Sequence, residues 1–204
     1  MGNQYNMVDC RFPVQYVVRP QSEEHPDYRA YAGRVEGGVF KKGDEVCLLP
    51  SGFRTKIRSI DFYGKELSKA YPPMSVSIRL EDDLDLSRGD MIVKPNNQPE
   101  IGQDLEVMLC WLSQTPLSPG RKYILKHNTR QVPALIKEVR YKLDINTLHR
   151  SEGDSNLGMN DIGRVLIRSA KPLFHDPYKT NRQTGSLIVI DPFSHQTVAA
   201  GMIL

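Results

Sequence analysis

The chain has few cysteines and no long apolar segment. Its three cysteines, Cys10, Cys47 and Cys110, lie far apart and form no Cys-x-x-Cys pair. This usage fits a reducing cytoplasm better than a disulfide scaffold. No apolar run approaches the roughly 20 residues of a membrane helix, and the polar N-terminus lacks the apolar core of a signal peptide. We therefore expect a cytoplasmic location and no membrane partner.

The motifs that usually mark an enzyme are also missing. A P-loop needs a lysine and a Ser or Thr after its glycines, whereas the glycine-spaced segment Gly33–Gly38 is followed by Val39 and Phe40. None of the five histidines has a partner at the spacing of a zinc motif. No Gly-x-Ser-x-Gly elbow is present. The sequence therefore predicts no catalytic residue, no cofactor-binding residue and no metal ligand within the chain.

What the chain does contain is apolar residues that alternate with polar ones. Such period-two rows occur at Val14/Tyr16/Val18, Val76/Ile78/Leu80 and Leu105/Val107/Leu109/Trp111, and a long strand-like stretch covers Gln131–Leu143. Rows of this kind predict β-strands with one face on a core. Glycine- and proline-containing turns separate them at roughly 8–12 residues, the spacing of an all-β barrel or sandwich. The hydrophobic content of 39% is enough for a packed core.

A change of composition divides the chain near its middle. The segment Lys94–Pro99 contains two prolines and two asparagines between two strand rows, which is typical of a linker. We therefore predict two β domains, residues 9–96 and 97–204.

One segment of the second half is basic. Residues 121–150 contain eight lysines and arginines against two acidic residues, Glu138 and Asp144. Such a face could bind nucleic acid or an acidic protein, or could simply be solvated. Lys137 has the opposite strand parity to Arg140 and Lys142, which predicts that the charges divide between the two sides of a strand. The net charge of +3 is also small, so nucleic acid is not the preferred partner.

Several short segments carry a family resemblance. They are Arg11–Pro20, Tyr31–Gly38, Lys42–Val46 and Leu84–Val93 in the first half, and Pro116–Gly120, Asp144–Leu148, Asn160–Gly163 and Asn181–Ser186 in the second. Together they resemble the second and third domains of the GTPase subunit of sulfate adenylyltransferase, over about residues 9–204. The first-half segments also fit other translation-factor-like GTPases, whereas Asp144–Leu148 and Asn181–Ser186 are more specific. The chain departs from the family pattern at Gln21–Pro26, which is longer and more polar, and at Arg34, where a smaller hydroxyl residue is common.

The resemblance implies an all-β fold of two consecutive antiparallel β-barrels of the translation-factor GTPase type. It implies that a GTPase domain, which would hold GTP and magnesium, precedes residue 9 in the parent protein. It also implies a small catalytic partner subunit that makes adenosine 5′-phosphosulfate from ATP and sulfate, in sulfate assimilation for cysteine synthesis. The barrels alone are expected to bind partners and to catalyse nothing.

Rim loops are the natural contact points of rigid barrels. The candidates for an interdomain or partner interface are Arg34, Glu36, Gly38, Asn181, Arg182 and Thr184. The competing interpretation is turn chemistry, in which glycine supplies a positive φ and Asn and Thr bond the local backbone. Two other functions stay open: RNA-binding barrels of a translation-factor-type GTPase, and a self-sufficient enzyme with a site across the barrels.

Overall fold

The computed structural model describes residues 5–19, 28–118, 120–144, 147, 149–153 and 156–204. Within these ranges the chain forms sixteen β-strands and no helix, and all of the strand pairs are antiparallel. The strands belong to two compact units, Met1–Pro99 and Glu100–Leu204. Two segments discussed above, Gln21–Pro26 and most of Asp144–Leu148, lie outside the described residues.

The first unit has nine strands, six of which form a closed barrel. Its strands are β1 (Arg11–Val18), β2 (Ala30–Arg34), β3 (Phe40–Lys41), β4 (Glu45–Leu49), β5 (Arg54–Phe62), β6 (Lys65–Leu67), β7 (Lys69–Ala70), β8 (Ser75–Leu80) and β9 (Met91–Val93). The order β4-β9-β1-β2-β8-β5 closes into a ring because β4 also pairs with β5. Strand β6 extends the sheet beside β5, and β3 pairs with β7 separately.

The second unit closes in the same way. Its strands are β10 (Glu100–Trp111), β11 (Lys122–His127), β12 (Arg130–Leu143), β13 (Arg150–Ser151), β14 (Ile162–His175), β15 (Ser186–Ile190) and β16 (Thr197–Ile203). The order β11-β15-β16-β10-β14-β12 becomes a ring through the pairing of β11 with β12. A closed ring leaves no unpaired edge among its six strands, which favours a small rigid domain. The predicted pair of antiparallel barrels is therefore confirmed.

Each barrel encloses its own core. The row Leu105, Val107, Leu109 and Trp111 of β10 is at most 1% exposed, as its alternation predicts. The Trp111 indole makes an edge contact with Tyr123 at 5.9 Å between ring centroids. Its Nε1–H donates to the Thr115 carbonyl oxygen at 2.9 Å, so the buried polar atom is satisfied.

The predicted row in β1 is wrong beyond Val14. Val14 is fully buried, but Tyr16 is 67% exposed. A β-bulge explains the difference, because Val14 pairs with Gly33 and Tyr16 pairs with the next residue, Ala32. The extra residue on β1 moves the following side chains to the other face of the sheet. Val17, instead of Tyr16, then packs against the core.

Candidate interaction sites

The first three candidate residues are the last residue of β2, Arg34, and two residues that follow it, Glu36 and Gly38. The segment Val35–Gly38 is held by backbone hydrogen bonds from Val35 N to Met74 O, from Glu36 N to Arg11 O and from Gly38 N to Asn6 O, each at 2.9 Å. Because these amide groups are occupied, they cannot cradle a phosphate. A side chain at Gly33 would also lie 2.4 Å from the Pro13 carbonyl oxygen. The glycine-spaced segment therefore does not fit GTP.

Arg34 and Glu36 form an ion pair on the surface of the first barrel. The Arg34 Nε and Glu36 Oε2 atoms are 3.9 Å apart, and the side chains are 37% and 14% exposed. Burial raises the pKa of Glu36 above its ordinary value, and the Arg34 guanidinium offsets part of that shift. Arg34 is thus the more exposed charge of the pair and the better contact point for a partner.

Gly38 has a structural role that accounts for its presence. Its φ is +65°, and a Cβ atom there would lie 2.5 Å from the Cys10 Sγ and 2.6 Å from the Cys10 Cα. Only glycine adopts this conformation without strain and leaves room for the neighbouring strand. The turn-chemistry interpretation therefore accounts for Gly38.

A buried polar network beside Gly38 was not predicted from the sequence. Arg11 is 2% exposed, and its Nη1 donates to the Asn97 main-chain oxygen at 2.7 Å and to the Asn97 Oδ1 at 3.1 Å. The Asn97 Nδ2 donates in turn to the Asp9 Oδ1 at 2.6 Å. A buried guanidinium requires such acceptors. The network fixes the start of β1 to the segment that was predicted as a linker.

The second candidate group lies in the turn between β14 and β15. Asn181 is 3% exposed, and its Oδ1 accepts hydrogen bonds from the main-chain N–H groups of Gln183 at 3.0 Å and Thr184 at 3.3 Å. The Gly185 N–H donates to the Asn181 carbonyl at 2.8 Å. Asn181 therefore shapes the turn, as an Asx-type residue does. Its side chain is not available to a partner.

Thr184 belongs to a buried polar cluster on the second barrel. It is fully buried, and its hydroxyl donates to the Asp176 Oδ2 at 2.6 Å. Its carbonyl oxygen lies 2.7 Å from the His127 Nε2. Because a carbonyl can only accept, the His127 Nε2 carries the proton. Burial lowers the pKa of His127 to about 4, so the imidazole is neutral at pH 7.

His175 is a second histidine near this cluster. It is 6% exposed, and burial lowers its pKa below the ordinary value. The described residues contain no group of His, Cys, Asp and Glu that could hold a metal ion.

Arg182 is the exposed member of the second group. Its guanidinium carbon lies 6.0 Å from the centre of the Tyr178 ring, a loose cation–π contact. Burial thus leaves Arg34 and Arg182 as the candidates whose charges can reach a partner, one in each unit. Glu36 is mostly covered, and Gly38, Asn181 and Thr184 shape the turns.

Part of the basic segment of the second half is paired with carboxylates. Lys137 Nζ lies 3.6 Å from the Asp104 Oδ1, and the Arg140 Nε lies 3.8 Å from the Glu106 Oε1. Lys142 Nζ lies 2.5 Å from the Asp161 Oδ2. A phosphate backbone would have to compete with these carboxylates, which disfavours nucleic acid as the partner.

The predicted placement of Lys137 and Arg140 on opposite faces of β12 is wrong. Lys137 and Arg140 both reach β10, at the same-face positions Asp104 and Glu106. A β-bulge in β12 between Ile136 and Glu138 changes the parity between the two cations. A sequence pattern shows no bulge by itself, so alternation alone predicted the wrong side.

No helix among the described residues is long and apolar enough to cross a membrane.

Several known proteins and one protein family are similar to this chain. The protein family described as "GTP-eEF1A C-terminal domain-like" matches residues 104–204. The "Bifunctional enzyme CysN/CysC" of Mycobacterium tuberculosis is 52% identical over 200 residues, which cover 98% of this chain and 33% of that protein. "Sulfate adenylyltransferase subunit 1" of Bacteroides thetaiotaomicron is 41% identical over 212 residues, which cover 100% of this chain and 43% of that protein. The chain thus spans less than half the length of these curated relatives.

A solved structure shares the fold. The crystal structure of sup35 complexed with GDP superposes with a TM-score of 0.83 at 16% sequence identity, and the match covers 96% of this chain and 47% of that one. At this identity the likeness concerns the fold alone. It agrees with the predicted fold of two antiparallel β-barrels.

Proposed function

Since this chain belongs to the family of sulfate adenylyltransferase subunit 1 and the matching part of CysN/CysC, we propose that its barrels relay the state of a GTPase domain to a small catalytic subunit. That subunit would make adenosine 5′-phosphosulfate from ATP and sulfate. The observation that carries the proposal is the identity of 41% to 52% over nearly the whole chain. GTP and magnesium belong to the GTPase domain of the parent protein, outside these residues.

The mechanical role rests on the closure of the barrels. The conformation of a GTPase changes mainly in its switch loops. That local change produces a larger motion only when the loops contact a rigid domain, which then moves as a whole. Each six-strand ring pairs its strands on both sides, so its surface resists deformation. We infer that the barrels move as bodies and that their exposed rim residues make the contacts.

Arg34 and Arg182 are the proposed contact residues. Arg34 is 37% exposed in its side chain, and Arg182 is exposed beside Tyr178. Arginine binds carboxylates through a planar fork and is favoured at interfaces. The partner surface should therefore carry Asp or Glu at the matching positions.

A binding experiment tests the proposal. The 204-residue chain is mixed with the small subunit of sulfate adenylyltransferase, and complex formation is followed by isothermal titration calorimetry. We expect saturable binding that weakens about tenfold in Arg34→Ala or Arg182→Ala, the size of one lost charged hydrogen bond. Arg54→Ala is the matched control. Like Arg34, Arg54 is an exposed arginine with an acidic neighbour: its side chain is 61% exposed, and its Nη1 lies 3.9 Å from the Glu45 Oε1.

The competing function, an RNA-binding pair of barrels, is tested by the same calorimetric titration. Aminoacylated transfer RNA replaces the small subunit as the titrant, at two salt concentrations. Tight, salt-sensitive RNA binding without any protein complex would refute the relay function. Turnover of ATP and sulfate by the chain alone would refute the expectation that the barrels are not catalytic.

A further inference from the structure

A cleft on the first barrel is lined by an unusual concentration of charge. It has a volume of about 250 Å³ and lies beside β2, β5 and β8. Its walls are formed by eight residues: Arg29, Tyr31, Arg58, Arg79, Leu80, Glu81, Asp82 and Asp83. Three arginines that converge on one small cleft repel each other unless anions balance them.

Part of this charge is balanced within the protein. Arg29 lies 2.6 Å from the Asp83 Oδ1 and 2.9 Å from the Asp85 Oδ1, and its Nη1 donates to the Leu84 carbonyl at 3.0 Å. The Asp82 Oδ2 accepts a hydrogen bond from the Thr55 hydroxyl at 2.7 Å. Arg29, Asp82 and Asp83 therefore already have partners within the protein, and these contacts hold their side chains in place.

The other two arginines are not balanced by the described part of the chain. Arg58 has no hydrogen bond or ion pair with any described residue, and Arg79 makes only a stacking contact, 4.6 Å from the Tyr28 ring centre. A β-bulge between Ile57 and Ser59, opposite Leu80 and Arg79, brings them to one place on the sheet. Both arginines line the cleft, and neither guanidinium has a hydrogen-bonded partner among the described residues.

Glu81 gives the cleft an acceptor as well. Glu81 lines the cleft, and its carboxylate forms no ion pair within the described residues. A ligand that fills the cleft must accept hydrogen bonds from Arg58 and Arg79 and donate one to Glu81. Monohydrogen phosphate does both, because it combines negative charge with a hydroxyl group, whereas sulfate at neutral pH has no donor.

We propose that this cleft binds inorganic phosphate and discriminates against sulfate. Arg58 and Arg79 hold the phosphate oxygens, and Glu81 accepts the proton of the phosphate hydroxyl. Ligand pockets for drug-sized molecules are roughly 300–1,000 Å³, so a cleft of about 250 Å³ suits a small ion and its water better than a nucleotide. The inference does not depend on the proposed relay function.

Isothermal titration calorimetry of the 204-residue chain tests the site, with inorganic phosphate and sulfate as separate probes in chloride buffer at pH 7.5. We expect saturable phosphate binding and weaker sulfate binding. Arg58→Gln should weaken phosphate binding about tenfold, as expected for one charged hydrogen bond. Because the Arg58 side chain has no hydrogen bond or ion pair with a described residue, this variant should fold normally, and its thermal melting curve checks that.

Two further variants separate the site from general basic charge. Arg54→Gln removes an arginine from the same strand outside the cleft and should leave phosphate binding unchanged. Glu81→Gln should reduce the preference for phosphate over sulfate, because a neutral amide can donate to sulfate. Equal losses in Arg58→Gln and Arg54→Gln, sulfate binding as tight as phosphate binding, or no saturable binding would each overturn the proposal.

Discussion

Acid should destabilise the second barrel through one buried histidine. Burial lowers the pKa of His127 from 6.5 to about 4, and its bond to the Thr184 carbonyl offsets only part of that shift. The unfolded chain therefore takes up a proton on this residue at a higher pH than the folded barrel does. The contribution of His127 to the free energy of unfolding is complete above pH 6.5 and is lost as the pH falls from 6.5 towards 4.

The size of the effect follows from the shift. A change from 6.5 to about 4 corresponds to ~3 kcal/mol at 1.36 kcal/mol per pKa unit. His175 acts in the same direction, because burial also lowers its pKa. Asp176 opposes both shifts, since its carboxylate favours the charged imidazole.

Tryptophan fluorescence during urea unfolding measures this loss in the second barrel alone. The chain has one tryptophan, Trp111, which is buried in that unit. Asp9 and Asp191 have pKa values below the ordinary 3.8, so their protonation changes the free energy of unfolding only below about that pH. Measurements between pH 7 and 4.5 therefore isolate the histidines.

The matched variants are His127→Gln and His149→Gln. A glutamine at position 127 can still donate to the Thr184 carbonyl but cannot titrate, so most of the pH dependence should disappear. His149 is exposed, so its replacement should leave the pH dependence intact. The reasoning would be refuted if wild type and His127→Gln lost the same free energy of unfolding over this range.

Three other substitutions are predicted from local structure. Gly38→Ala should destabilise the first barrel by about 2 kcal/mol or more, because of its positive φ and the contact with Cys10; differential scanning calorimetry checks this. Asn97→Ala should cost ~2 kcal/mol, because buried Arg11 loses its Oδ1 acceptor, and hydrogen exchange in β1 should become faster. Thr184→Val should cost about 1–3 kcal/mol, because it leaves the Asp176 carboxylate without the hydroxyl donor, whereas Gln196→Ala at an exposed position should be neutral by urea unfolding.

The strand rows that could be predicted from sequence are those without bulges. Leu105 to Leu109 pair regularly with β14, and Val107 to Trp111 pair regularly with β16. Each apolar residue of the row Leu105, Val107, Leu109 and Trp111 is buried. In β1 and β12 the same reasoning failed, because one extra residue in a strand reverses the side-chain parity beyond it. The composition of β1 does not mark the bulge, since Gln15 fits either face.

The candidate residues could be found by resemblance but not ranked by it. Asn181 and Arg182 are neighbours in the same turn, yet Asn181 is 3% exposed and Arg182 is exposed. The difference arises from hydrogen bonds that close the turn, which depend on how Asp176 and His127 pack beneath it.

Long-range hydrogen bonds also explain why the burial of Arg11 in the first unit was not predicted. Arg11 is a charged residue in an apolar strand, and sequence rules place arginine on the surface. It is buried because Asn97, 86 residues later, supplies acceptors at 2.7 Å and 3.1 Å. Long-range partners of this kind decide whether a polar residue is structural or available for contact. The proposed relay therefore depends on Arg34 and Arg182, whose charges remain at the surface after every such partner in the described chain is counted.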